Sequence, residues 1–273
     1  GSFVVLIDWD KAAADVPLLL GAPQLGENPR RDEVSRGYEL ELVGPTFHAA
    51  GMTIPGLPSV IVGRNDQYAW SLTSGNTDNT DTYIETTDAA FENYRFEGAW
   101  VPFEVREETI YVRGQGPVTF PVYRTIHGPV IGRDPARQQA YSWKFSFRGD
   151  ELDMVQAFYE IQTGENLAQF ERALRTVPLS FNVVFAQRNR TIKYWHVGKY
   201  PLRPAHTDPR LPLDGRGAEE WKGFRPFDEL PAATGRDQDY FVNWNNKPAP
   251  WWDQGDNVPW ITLEKALTPE EER

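Results

Sequence analysis

Asn243-Trp244-Asn245-Asn246-Lys247-Pro248 closes a pattern that opens at Gly1-Ser2 and continues through Ala22-Pro23-Gln24-Leu25-Gly26. By itself the asparagine run, set at the end of an apolar stretch, is a turn signal, because asparagine side chains bond their own backbone and tolerate left-handed geometry. Its weight comes from the serine at the other end. A serine that attacks an amide needs a base beside its hydroxyl. The four histidines, His48, His127, His196 and His206, lie in strand or loop settings, and no Gly-x-Ser-x-Gly elbow occurs. A serine that starts a chain carries its own base. Its free α-amino group, with an ordinary pKa of about 7.7–8.0, is partly deprotonated near neutrality. While Gly1 stays attached Ser2 has no such amine, so the chain as written is expected to be inactive.

Composition narrows the partners. With 273 residues the chain can bury one substantial core or two modest ones. A formal net charge of −11 argues against nucleic acid or an anionic membrane as partner, and no apolar run is long enough for a membrane span. There are no cysteines, which excludes disulfides, thiolate metal sites and a cysteine nucleophile. The abundant tryptophan and tyrosine usually serve cores and pocket walls; a carbohydrate-binding β domain is a further reading that rests on tryptophan content alone.

Strand signals dominate. Residues 3–7, 38–43, 59–62, 68–73, 82–85, 109–112, 118–123, 140–147, 181–186, 192–197 and 240–244 read as strands, with a hairpin turn at Gln187-Arg188-Asn189-Arg190. Residues 151–162 and 167–174 carry apolar side chains at helical spacing. Residues 202–237, rich in proline, glycine and charge, read as a long surface excursion. Without a repeat or a clear boundary, the chain is expected to be a single domain over 1–273. Thr268-Pro269-Glu270-Glu271-Glu272 announces a helix start just before the sequence stops, so the chain is expected to be part of a longer one.

The three opening segments resemble the nucleophile chain of the penicillin acylase family, a group of N-terminal-nucleophile hydrolases, over most of the chain. The resemblance implies an α+β fold, a four-layer αββα sandwich of antiparallel sheets, and places this sequence in the N-terminal part of the nucleophile-bearing β chain. It implies that Ser2 is the nucleophile and Gly1 the residue lost on self-cleavage. A Gly-Ser pair is also a common cloning remnant, and that reading stays open. The side-chain amide of Asn245 and the backbone N–H of Ser74 would be oxyanion donors, each able to lower a barrier by about 2.7–4 kcal/mol. Gln24 would neighbour the nucleophile. Phe3 and Val5 stand where the family has asparagine and often tryptophan. An arginine expected about a dozen positions past Asp256 is missing from residues 260–267.

Asp78-Asn79-Thr80-Asp81 is a dense oxygen cluster suited to a hard cation, though its spacing is not that of an EF-hand. By resemblance, Asp78, Asp81 and Asp256 would supply carboxylates and Thr80 and Pro209 backbone oxygens to a structural calcium; a solvated acidic turn is the plainer alternative. The resemblance also lines an acyl pocket with Leu25, Val62, Leu72, Phe158 and Phe181, all apolar, which suits a phenylacetyl or fatty acyl group. It implies no organic cofactor. It implies as partners an α chain from the same precursor, the remainder of the β chain and a small acylated amide, and a periplasmic or secreted bacterial setting. The expected activity is hydrolysis of N-acyl amides such as penicillins, with acyl-homoserine lactones as alternative substrates. An inactive acylase piece acting as a binding or structural module is the competing reading.

Overall fold

The structure, a computed structural model, describes residues 2–23 and 37–252. Gln24, Leu25, Asp256 and the helix start at Thr268 lie outside them. In chain order the strands are β1 (Ser2–Ile7), β2 (Leu18–Pro23), β3 (Tyr38–Val43), β4 (His48–Thr53), β5 (Val62–Asn65), β6 (Tyr68–Ser74), β7 (Thr80–Thr86), β8 (Asn93–Phe96) and β9 (Ala99–Pro102). They continue as β10 (Glu104–Val112), β11 (Gly116–Arg124), β12 (Val130–Asp134), β13 (Gln139–Phe145), β14 (Phe181–Gln187), β15 (Thr191–Val197), β16 (Leu213–Asp214), β17 (Ala232–Thr234) and β18 (Tyr240–Asn243). Helices α1 (Glu151–Thr163) and α2 (Leu167–Leu174) fall where helical spacing put them. Among the described residues no helix is long and apolar enough to cross a membrane.

Two compact units divide the chain: residues up to 77 with 149–200 and from 225 onward, and residues 78–148 with 201–224. The first holds a seven-stranded antiparallel sheet, β17-β15-β14-β6-β5-β4-β3, and a three-stranded one, β18-β1-β2. Strand alternation sorts its side chains into two cores. Trp70, Leu72, Val183, Phe185 and Trp195 face the helices and pack with Phe158, Ile161, Phe170 and Leu174. Val184, Ala186, Ile192 and Tyr194 face the other way, against Val4, Leu6 and Phe241 of the small sheet. The succession is helix layer, large sheet, small sheet, as an αββα sandwich requires; a helical layer outside the small sheet is not among the described residues. The sheets press closely at β2, where a Cβ on Gly21 would fall 2.1 Å from Ser71 Oγ. Helix α2 is stapled at its start, with Asn166 Oδ1 accepting the Gln169 N–H at 3.0 Å and Gln169 Oε1 accepting that of Glu165 at 2.6 Å.

The second unit is built on the sheet β12-β13-β7-β16, with the hairpins β8-β9 and β10-β11. Within the expected surface excursion, Leu213 is buried and β16 pairs in parallel with β7. At the centre His127 stacks on Tyr83 with ring centroids 3.9 Å apart. Its Nδ1 lies 2.7 Å from Glu85 Oε1 and its Nε2 2.6 Å from Glu220 Oε1, while Lys144 bonds the other Glu220 oxygen at 2.6 Å. Burial opposes a charged ring here, but the bonds to Glu220 and Glu85 outweigh it and raise the His127 pKa above its ordinary 6.5. Burial likewise pushes Glu220 up, and His127 and Lys144 outweigh it, bringing its carboxyl down to about 2.

His127 therefore stabilises the fold fully below about pH 6.5, and that contribution fades as pH rises through its higher folded value. Glu220 contributes fully above about pH 4.5 and fades as pH falls toward about 2. Replacing His127 by Gln leaves the buried Glu85 with the Thr125 and Ser142 hydroxyls but without its cation, and is expected to cost about 3–5 kcal/mol inside that window. Unfolding free energies of both proteins across pH check it. A difference that does not shrink as pH rises above about 6.5 would contradict the charged cluster.

Candidate active site

Strand pairing brings the two ends of the sequence together. β1 runs antiparallel to β18, with Val4 opposite Asn243, so the first residues of β1 meet the chain just past β18. There Ser2's main-chain N–H donates to Asn245 Oδ1 at 2.6 Å, across a separation of 243 residues. Asn245 Nδ2 donates to the carbonyl oxygen of Ser74, the last residue of β6, at 2.9 Å. Ser2, Asn245 and Ser74 thus form one cluster. The resemblance pointed to the Ser74 N–H; the contact Ser74 makes with Asn245 is through its carbonyl.

The asparagines build the turn that aims Asn245. Asn245 sits at φ +72°, a left-handed geometry that asparagine accepts more easily than most residues. Its N–H donates to Asn243 Oδ1 at 2.9 Å, and the N–H of Trp244 donates to Asn246 Oδ1 at 3.0 Å. An amide nitrogen carries two hydrogens, so one on Asn245 Nδ2 can hold Ser74 while the other serves an incoming oxygen. A carboxamide that takes a hydrogen from the serine nitrogen and offers one to a substrate suits acyl transfer.

Behind this turn lies a buried polar network that the sequence did not flag. Asn243 Oδ1 also accepts from Thr73 Oγ1 at 2.6 Å and Asn182 Nδ2 at 3.1 Å. Asn182 Oδ1 accepts from the Tyr194 hydroxyl at 2.7 Å and lies 2.8 Å from His196 Nδ1. The His196 Nε2 is 2.8 Å from the hydroxyls of both Thr77 and Tyr200, and Trp252 Nε1 donates to Thr77 at 3.1 Å. Burial lowers the His196 pKa to about 3, so the ring is neutral, and it raises the pKa of Tyr194 and Tyr200. A cue was present in Asn182, a polar residue at an inward position of the otherwise apolar stretch 181–186.

Three of the expected acyl-pocket residues come together. Leu72, Phe158 and Phe181 line a cavity with Trp70, Ile161, Leu174, Val177 and Val183. Val62 belongs to the same core but does not line the cavity. By strand register Phe181 stands opposite Ser74, which ties this lining to the polar cluster. The cavity has room for roughly one water molecule. An aromatic or fatty acyl group needs it to widen, and Phe181 is the lining residue that is only half-buried.

In the second unit Asp78 and Asp81 are held by a guanidinium. Arg203 Nη2 bonds Asp78 Oδ2 at 2.8 Å and Nε bonds Asp81 Oδ2 at 2.7 Å, where Trp221 Nε1 also donates at 2.6 Å. All three charged groups are buried. Asp81 Oδ1 is buried with no hydrogen-bond partner, and burial raises the Asp81 pKa despite Arg203. Thr80 opens β7, and its N–H donates to Asp78 Oδ1 at 3.1 Å; Pro209 is half-buried in the turn that follows Asp208. Among the described residues no group of three or more acidic or histidine side chains is gathered as a metal cage. Arg203 was missed because it lies in a stretch that reads as surface.

The model of the penicillin amidase family matches residues 1–265. Penicillin G acylase of Escherichia coli is 33% identical over 212 residues, which is 77% of this chain and 25% of that protein. The acyl-homoserine lactone acylase QuiP of Pseudomonas fluorescens Pf0-1 is 32% identical over 207 residues, 71% of this chain and 25% of that one. Among solved structures, a thermostable penicillin G acylase from Alcaligenes faecalis superposes with a TM-score of 0.88 at 31% identity, covering 97% of this chain and 49% of that one. The chain therefore spans about a quarter of the length of these curated relatives and about half of the solved chain.

The tight cavity makes its own test. Phe158→Ala is expected to lower unfolding stability by about 3–5 kcal/mol and to leave a dry hole able to take up benzene. Denaturant melts with and without benzene read both effects; an equal midpoint in the two would mean that the walls collapse inward instead.

Proposed function

The chain belongs to the penicillin amidase family, and on that premise we propose that it carries the nucleophile of an N-acyl amide hydrolase. The observation behind the proposal is the 2.6 Å bond joining Ser2 nitrogen to Asn245 Oδ1. Once Gly1 is removed, that nitrogen is a free amine. One amine hydrogen keeps donating to Asn245 Oδ1, which leaves the nitrogen lone pair to take the Ser2 hydroxyl proton. Oγ then bonds the amide carbon of the substrate, and the carbonyl electrons move onto its oxygen. The second Nδ2 hydrogen of Asn245 and the Ser74 N–H stabilise this oxyanion. As the C–N bond breaks, the α-amine returns its proton to the leaving nitrogen. Water, deprotonated by the same amine, adds to the carbonyl carbon of the acyl-serine ester, and the C–Oγ bond breaks as the amine returns that proton to Oγ. Gln24 completes the surroundings of the nucleophile.

The acyl group is apolar in this reading, received by Leu25, Val62, Leu72, Phe158 and Phe181. Penicillin-type amides and acyl-homoserine lactones both offer such a group, and relatives named for each are similar to this chain. No organic cofactor takes part. An α chain from the same precursor and the rest of the β chain complete the enzyme, which works in the periplasm or outside the cell.

Calcium belongs to the proposal as a structural ion. Asp81 Oδ1 is buried with no hydrogen-bond partner, an oxygen that a hard cation would satisfy. Asp78, Asp81 and Asp256, with the carbonyls of Thr80 and Pro209, would hold it.

Two experiments test these assignments. In the full-length protein processed to a free Ser2, an acyl panel is expected to show hydrolysis rising with pH through about 7.7–8.0, the range of an α-amine. Ser2→Ala should abolish turnover, and Asn245→Ala should lower kcat by about 10²–10³-fold. Turnover that survives in Ser2→Ala would sink the proposal. For calcium, saturating the protein at about 100 times Kd is expected to add about 2.7 kcal/mol of stability, and Asp81→Asn to remove the gain. Identical melting in calcium and in chelator would remove the ion from the account.

A further inference from the structure

Register puts Thr73, Asn182 and His196 side by side across β6, β14 and β15, on the face turned to the small sheet. Each is completely buried at 0% exposure. Asn182, in the middle, meets acceptors on one side and donors on the other. Its Nδ2 donates to Thr73 Oγ1 at 3.1 Å, Asn243 Oδ1 at 3.1 Å and the Ser74 carbonyl at 3.3 Å. Its Oδ1 receives Tyr194 and His196.

Only one orientation of this amide satisfies its neighbours. Turned over, it would set an acceptor oxygen against Asn243 Oδ1 and the Ser74 carbonyl, two groups that cannot donate. The orientation in turn requires His196 to carry its proton on Nδ1 and leaves Nε2 to accept from Thr77 or Tyr200. The row is thus keyed from both ends. Its output goes to the two groups that hold Asn245: Asn243, which fixes the Asn245 N–H, and Ser74, which fixes the Asn245 side chain.

We infer that Asn182 is a positioning residue, locking the Asn243–Asn245 turn and the end of β6 in the geometry that aims the Asn245 amide. The inference deepens the hydrolase reading and rests on it for its catalytic meaning. Asn182 touches neither Ser2 nor a substrate; it acts through Asn243 and Ser74. Its partner Tyr194 acts one step further back.

Asn182→Asp keeps the acceptor for Tyr194 and His196 and removes the donors. Backbone hydrogen exchange in this chain is the first readout. Protection of the Asn245 amide is expected to fall at least about 10-fold, while Val4 and Leu6 in β1 keep theirs, since local opening and global unfolding separate in this measurement. In the active full-length protein kcat and kcat/KM should fall together by about 10–10²-fold at unchanged KM. In the charge-neutral variant Tyr194→Phe the pH profile set by the α-amine should stay in place, because that change leaves the base untouched and adds no charge near it. Tyr194→Phe should move the same quantities in the same direction, by a few-fold, and stands in should the aspartate variant not fold. Unchanged Asn245 protection in a folded variant overturns the inference, as does a rise in KM at constant kcat. Were Asn245 protection to fall in a processed protein that hydrolyses no acyl amide, the positioning role would stand and the hydrolase reading would fail.

Discussion

The pairing of β1 with β18 is the constraint on which the site depends. It brings Ser2 against a turn 243 residues later, and the entropic penalty of closing so long a loop grows only slowly with its length. What a long closure does demand is a ladder able to hold the two ends without local help. Here the ladder comes from both sides: β1 is the middle strand of its sheet, paired with β2 from Ser2 to Ile7 and with β18 from Val4 to Ile7. Val4 and Leu6 anchor it in the inter-sheet core, while Ser2, at its start, stays half-exposed. A residue placed at the end of a central strand inherits the rigidity of the core yet stays accessible, as the proposed nucleophile must.

Much of this was readable from residues. The apolar spacing of 151–162 and 167–174 gave both helices because it met a helix-buried face, and period two gave the long strands. Ser2, Asn245 and Ser74 were named on motif, and they meet. β2 and β4 escaped because their residues, Leu-Leu-Leu-Gly-Ala-Pro and His-Ala-Ala-Gly-Met-Thr, have neither alternation nor branching; sheet context makes them strands. At β2 the missing side chain of Gly21 is itself the reason, since the neighbouring sheet sits too close for a Cβ. The residues 59–62 were expected to form a strand that instead begins at Val62, because Val60 turns inward, its N–H held by Gln162 Oε1 at 2.9 Å.

Arg203 and the Asn182 row were illegible for a different reason. Both depend on partners far along the chain: Arg203 on carboxylates more than a hundred residues earlier, Asn182 on strands either side of it. A charged residue in a proline-rich stretch reads as solvent-facing, and only the tertiary contact reveals that it is buried. A polar residue inside an apolar strand is a weaker version of the same problem. It shows that something is satisfied there, without showing by what.

The two units solve the burial of polar groups in opposite ways, and the difference matters for chemistry. The second unit uses full charges: His127 between two glutamates, and Arg203 between two aspartates. The network behind Asn245 is neutral throughout, made of asparagine amides, hydroxyls, an indole and an uncharged imidazole. An oxyanion site needs dipoles already aimed, so that they do not reorient when charge develops. Formal charges at the same distances would also displace the pKa of a nearby amine, upward beside carboxylates and downward beside cations. A base of ordinary pKa near neutrality is best left among neutral neighbours. On the proposed reading, the buried amide row supplies rigidity without that side effect, while the buried ion pairs described above, His127 with Glu85 and Arg203 with Asp78 and Asp81, belong to the other unit.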